Sequence, residues 1–152
     1  MSGYHLAQCN IATMRGDADD PVMAGFFARL DELNAVADAS PGFVWRLQTD
    51  DGDATAIRVF DNPRILFNLS VWESAEALED YVYRSDHVTA VQRRVDWFER
   101  PTRSPLVLWW IPAGHRPDVE EARERLELLW EHGPGSRAFT FRQRFLPDGA
   151  AA

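Results

Sequence analysis

The octapeptide Ile65–Trp72, ILFNLSVW, decides the reading of this chain. Ile65, Phe67, Leu69 and Val71 alternate with Leu66, Asn68, Ser70 and Trp72, and a two-residue period puts these sets on opposite faces of a β-strand. One face is purely aliphatic and aromatic. The other mixes apolar bulk with an amide, a hydroxyl and an indole.

Outward from this strand the periodicity keeps switching. His5–Ile11 (HLAQCNI) and Phe43–Thr49 (FVWRLQT) alternate as strands, and Ile57–Phe60 is a candidate short strand. Pro105–Ile111 (PLVLWWI) is a near-continuous apolar run, as expected of a strand covered on both faces. Ala138–Phe145 (AFTFRQRF) reads as a final strand. Between them lie helical patterns. One runs from Asp20-Pro21, an N-cap followed by Pro, to about Asp38, where Ser40-Pro41-Gly42 stops it. A second starts at the Ser74 cap, a third piece covers His87–Glu99, and a fourth runs from Asp118 to His132. The order β-α-β-β-α(α)-β-α-β predicts an α+β fold with a ferredoxin-like antiparallel sheet and helices on one face. A single domain over 1–147 and a short flexible tail over 148–152 are expected.

The composition removes several chemistries. All 16 basic residues are arginine, against 24 acids, giving a net charge of −8. Without lysine, Schiff-base and P-loop chemistry have no amine to use. The acidic balance argues against nucleic acid as a partner. The surplus lies wholly in residues 1–100, with 17 acids against 9 arginines, whereas residues 101–152 hold 7 of each. One cysteine, Cys9, precludes an internal disulfide and fits a reducing compartment. His5, His87, His115 and His132 show no metal-ligand spacing. No apolar run reaches the ~18 residues of a membrane span, and a cytoplasmic protein is expected.

The aliphatic strand faces (Ala7, Cys9, Ile11 and Ile65, Phe67, Leu69, Val71) suit the helix-covered side of the sheet. Leu6, Gln8, Asn10, Asn68, Ser70 and Trp72 would then form the open side, too apolar to be bare and too polar for a dry core. A partner subunit, a ligand cavity between two sheets, or both would close it.

Several segments carry a family resemblance: NAVADASPGFVWRL (Asn34–Leu47), NLSVWES (Asn68–Ser74), YRSDH (Tyr83–His87), Trp97-Phe98, LWWIPAGHRP (Leu108–Pro117) and AFTF (Ala138–Phe141). The chain resembles a bacterial family of unknown function in the dimeric α/β-barrel superfamily, related to antibiotic-biosynthesis monooxygenases. The resemblance implies a homodimer in which two open sheets face each other as a barrel. In the cofactor-free monooxygenases of that superfamily, an Asn followed four residues later by a Trp orients an aromatic polyketide, and Asn68 and Trp72 match this pattern. Asn10 would supply a second amide. In haem-degrading members a His ten residues after the Trp ligates iron. Val82 stands there in this chain, so haem is not expected and no cofactor is implied.

The candidate site residues follow. Asn68 can hold a substrate oxygen or enolate and Trp72 can wall it or donate its N–H; alternatively both serve a subunit interface. His87 can transfer protons near neutrality, and Arg94 and Trp97 share its helix stripe; alternatively His87 caps the helix and Arg94 stacks on Trp97. Trp45 and Arg46 point to opposite faces, so only one of them reaches a cavity. Trp110 is a candidate pocket wall. The expected function is a cofactor-independent, monooxygenase-like enzyme acting on a small aromatic or polyketide-like molecule. The alternative is a non-catalytic small-ligand-binding or stress-related dimer, and behind both stands haem binding through His87 or a tyrosine.

Overall fold

The computed structural model of the chain describes residues 3–17, 19–48, 64–84 and 97–151. The candidates His87 and Arg94, the short strand read at Ile57–Phe60 and most of the helical piece read at His87–Glu99 lie outside these residues. The described elements are β1 (Tyr4–Thr13), α1 (Ala24–Ala39), β2 (Phe43–Arg46), β3 (Ile65–Trp72), α2 (Ala75–Arg84), β4 (Leu106–Pro112) and α3 (Val119–His132). A single 3-10 turn, Pro21–Met23, leads into α1. Local chemistry starts and stops these elements as the sequence reading expects. The Asp20 carboxylate accepts from the Val22 amide and the Asp118 carboxylate from the Glu121 amide. Ser74 Oγ accepts from the Ala77 amide.

The sheet order is β2-β3-β1-β4, antiparallel throughout. The two elements adjacent in sequence to α1, β1 and β2, are therefore separated by β3, which is the split crossover of a ferredoxin-like fold. Asn10 lies opposite Asn68, Gln8 opposite Ser70 and Leu6 opposite Trp72. The polar positions of β1 and β3 thus share one face, row by row.

The aliphatic face is helix-covered, as the sequence expectation has it, but the mixed face expected to be open is covered as well. The aliphatic set (Ala7, Cys9, Phe67, Leu69, Val71, Val107, Trp109, Ile111) packs against Ala122, Leu126 and Leu129 of α3. Helices α1 and α2 lie instead on the mixed face, where Leu6, Trp72 and Leu108 meet Ala37, Ala75 and Leu78. Both faces carry enough apolar surface to be buried, so each takes a helical cover. Helices α1 and α2 contribute aromatic side chains, Phe26 and Tyr81 among them, to the cavity over the polar rows. As a result β1 and β4 are buried on both sides, and the continuous apolar run of β4 fits this. The mixed face, on which a second sheet was expected to close, is occupied by α1 and α2 of the same chain.

Ala138–Phe145 does not form the regular strand expected of it. One bridge joins Phe139 to Leu108, with both backbone hydrogen bonds made, at 2.7 and 2.9 Å. A turn at Thr140–Gln143 then takes the chain away from the ladder, and Phe145 bridges Ala151. The alternating phenylalanines still reach the core on the α1/α2 side. Arg144 ties the segment to α2 through Glu79.

Candidate functional site

A cavity of about 1260 Å³ lies between the mixed face of the sheet and helices α1 and α2. Its floor is a connected set of polar side chains from β1 and β3. Gln8 Nε2 donates to Asn68 Oδ1 at 2.7 Å and to Ser70 Oγ at 2.8 Å. Trp72 Nε1 donates to the same Ser70 Oγ at 2.9 Å. Gln8 and Ser70 are only 5% and 6% exposed, so the two bonds to Ser70 operate where water competes little, while Asn68 at the end of the network is exposed. Asn10 and Asn68 lie next along the same rows and line the cavity.

The walls are aromatic. Tyr81 stacks on Trp72 at 5.2 Å between centroids, and Phe43 meets Trp72 edge-on at 5.4 Å. Trp97, packed edge-on against Phe26 at 5.7 Å, borders another part of the cavity. A Cβ added at Gly25 would sit 3.1 Å from the Trp97 indole nitrogen, so the bare glycine is what lets α1 approach that ring. The Tyr81 phenol donates to the Leu33 carbonyl, and burial pushes its pKa up to about 12, against a smaller lowering by Arg46. Tyr81 is accordingly a neutral hydrogen-bonding wall at physiological pH. Arg46 also lines the cavity, with its guanidinium held by Asp38 of α1 through bonds of 2.8 and 3.3 Å.

The structure places the candidates unevenly. Asn68, Trp72, Asn10, Arg46 and Trp97 all line this cavity. Trp45 does not. It points to the α3 face, next to the core beneath α3, with the Arg116 guanidinium 5.8 Å from its ring. Trp110 is not in the cavity either; it packs with the C-terminal segment, its indole N–H donating to the Phe145 carbonyl. Arg46 faces the cavity and is paired with Asp38. The Trp72 N–H is committed to Ser70 and so is not aimed at a ligand. In sequence Tyr81 stands only on the apolar side of the second helix, and Gln8 and Ser70 stand on this face without a role. Their signal was present in β1 and β3, where two polar residues recur on an otherwise apolar face. Among the described residues no group of three or more His, Cys, Asp or Glu side chains could hold a metal ion. No helix among them is long and apolar enough to cross a membrane.

The fold and site define a ferredoxin-like α+β protein with an aromatic-walled, amide-floored cavity beneath its helix pair. The chain belongs to the family described as a domain of unknown function (DUF3291), whose profile matches residues 5–152. No curated protein matches it. Among solved structures it is similar to SnoaB, a cofactor-independent oxygenase from Streptomyces nogalater, at 14% identity, covering 77% of this chain and 100% of that one with a TM-score of 0.46. It is also similar to PA3566 from Pseudomonas aeruginosa, at 14% identity over 76% and 98% with a TM-score of 0.48. A third is NE2512, a protein of unknown function from Nitrosomonas europaea, at 9% identity over 76% and 95% with a TM-score of 0.47.

Proposed function

We propose that this protein binds a small aromatic or polyketide-like molecule in the cavity and oxidises it as a cofactor-independent monooxygenase. The observation that carries this reading is the Gln8–Asn68–Ser70–Trp72 network, a fixed polar floor under aromatic walls. Asn68 Oδ1 accepts from Gln8, which turns the amide NH2 of Asn68 toward a ligand oxygen. An enolisable aromatic ketone held there loses a ring CH2 proton and passes electrons to dioxygen. The CH2 becomes C=O, taking one oxygen atom, and the second oxygen leaves as water. A preorganised donor at the ketone oxygen lowers the cost of the enolate. The reading includes a homodimer with one such cavity in each subunit.

A second reading, ligand binding without catalysis, is favoured by one observation. None of the four network side chains titrates near neutrality, so the floor has a donor for the enolate but no base to form it. The two readings separate in an oxygen electrode with anthrone as substrate. The first requires oxygen uptake that falls about 10- to 100-fold in Asn68→Ala and stays near wild type in Trp45→Phe. Anthrone binding without oxygen uptake selects the second. Uptake unchanged in Asn68→Ala rejects the assigned role.

A further inference from the structure

We infer that Ser70 is the second hydrogen-bond donor of the site, and that Asn68 and Ser70 together select ligands presenting an acceptor oxygen able to carry negative charge: an aromatic ketone, its enolate, or a phenolate. This rests on the binding half of the proposed function and not on the oxygenase chemistry.

A serine hydroxyl has two lone pairs and one proton. Gln8 Nε2 and Trp72 Nε1 both donate to Ser70 Oγ, at 2.8 and 2.9 Å, so both lone pairs are engaged. The proton is left in the remaining tetrahedral direction, on a side chain that lines the cavity. Asn68 reaches the same condition by a parallel route, because its Oδ1 is occupied by Gln8 and its NH2 carries the donors. Asn68 and Ser70 sit two residues apart on one strand face, and their oxygens both lie within hydrogen-bond distance of the single Gln8 nitrogen. The inference places one ligand oxygen between these two donors. Donor pairs of this kind favour the charged form of a ligand acceptor, since charge-assisted bonds are roughly twice as strong as neutral ones. Trp72 and Gln8 are positioning residues in this arrangement: they set where the Ser70 proton points without touching the ligand oxygen themselves.

Chrysazin, a dihydroxyanthraquinone whose visible colour changes when a phenol ionises, tests this on the full chain. Wild-type protein is expected to lower the ionisation midpoint of the bound dye, equivalent to about a tenfold fall in its proton affinity. Ser70→Ala is expected to abolish most of that fall, while Ser70→Thr, which keeps the hydroxyl, retains it. A merely structural role for Ser70 would change dye affinity and leave the ionisation midpoint in place. A dye that ionises identically in wild type and Ser70→Ala overturns the inference. Failure of the wild type to bind the dye overturns both this inference and the proposed function. Dye ionisation that depends on Ser70, with no oxygen uptake from anthrone, rejects the oxygenase and leaves the donor pair standing.

Discussion

Tyr81 shows how one side chain links the cavity to stability. Its ring forms a wall of the site against Trp72, and its hydroxyl is anchored on the Leu33 carbonyl of α1. Burial raises its pKa to about 12, whereas an unfolded tyrosine ionises near 10. Above pH ~10 the unfolded chain gives up this proton first, so the native state loses stability as pH rises. The contribution is fully present below about pH 10 and is lost progressively up to about pH 12. Urea unfolding across this window should show wild type losing on the order of 2 kcal/mol more than Tyr81→Phe. Equal pH slopes for the two proteins would contradict the burial of the phenol. Cys9, the lone thiol, is buried beneath α3 and its pKa is driven far upward by desolvation, which makes it a packing residue.

At the scale of elements, α3 is the piece that sets this molecule apart from a bare ferredoxin-like sheet. Ala122, Leu126 and Leu129 face the sheet at successive turns, and Leu126 is fully buried among β-strand side chains. Leu126→Ala should cost about 2–5 kcal/mol in chemical denaturation. Leu128→Ala, two residues away and only partly buried, should cost clearly less. Equal losses would mean that α3 does not seat as described. These elements were largely legible in the sequence, because alternation in β1 and β3 and the caps at Asp20, Ser74 and Asp118 are local signals. The stop at Ser40-Pro41-Gly42 was legible for the same reason. Gly42 has a φ of +82°, and a Cβ there would lie 2.5 Å from that of Ala77, so only glycine fits. What alternation cannot assign is which helix covers which face, since both faces are apolar enough to be buried. β4 carried the one correct hint, its unbroken apolar run, and it points to cover on both sides without naming the cover. The last segment looks like a strand in sequence because Phe139, Phe141 and Phe145 alternate, but Phe139 bridges β4 while Phe145, past the turn at Thr140–Gln143, bridges Ala151 instead.

In the whole molecule, the site depends on an asymmetry between the two sheet faces. The α3 side is a closed apolar core. The α1/α2 side is an aromatic cluster interrupted by a polar-floored cavity of about 1260 Å³, large enough for a fused-ring ligand. Asn68, Ser70 and Trp72 belong to the site because the β1–β3 register stacks their rows against Gln8 and Asn10, a pairing no single segment of sequence displays. Arg15, Arg100 and Arg103 line the cavity together with Glu99, and Arg46 lines it while held by Asp38. The central claim is that a ligand sits between the sheet and the α1/α2 pair, with its oxygen on the Asn68–Ser70 floor. The most direct measurement is a crystal structure of the full chain with chrysazin bound. The account predicts dye density inside that cavity, stacked near Trp72 and Tyr81, with an oxygen within hydrogen-bond reach of Asn68 Nδ2 and Ser70 Oγ. Dye found only on the α3 side or the outer surface, with the cavity empty, would contradict it.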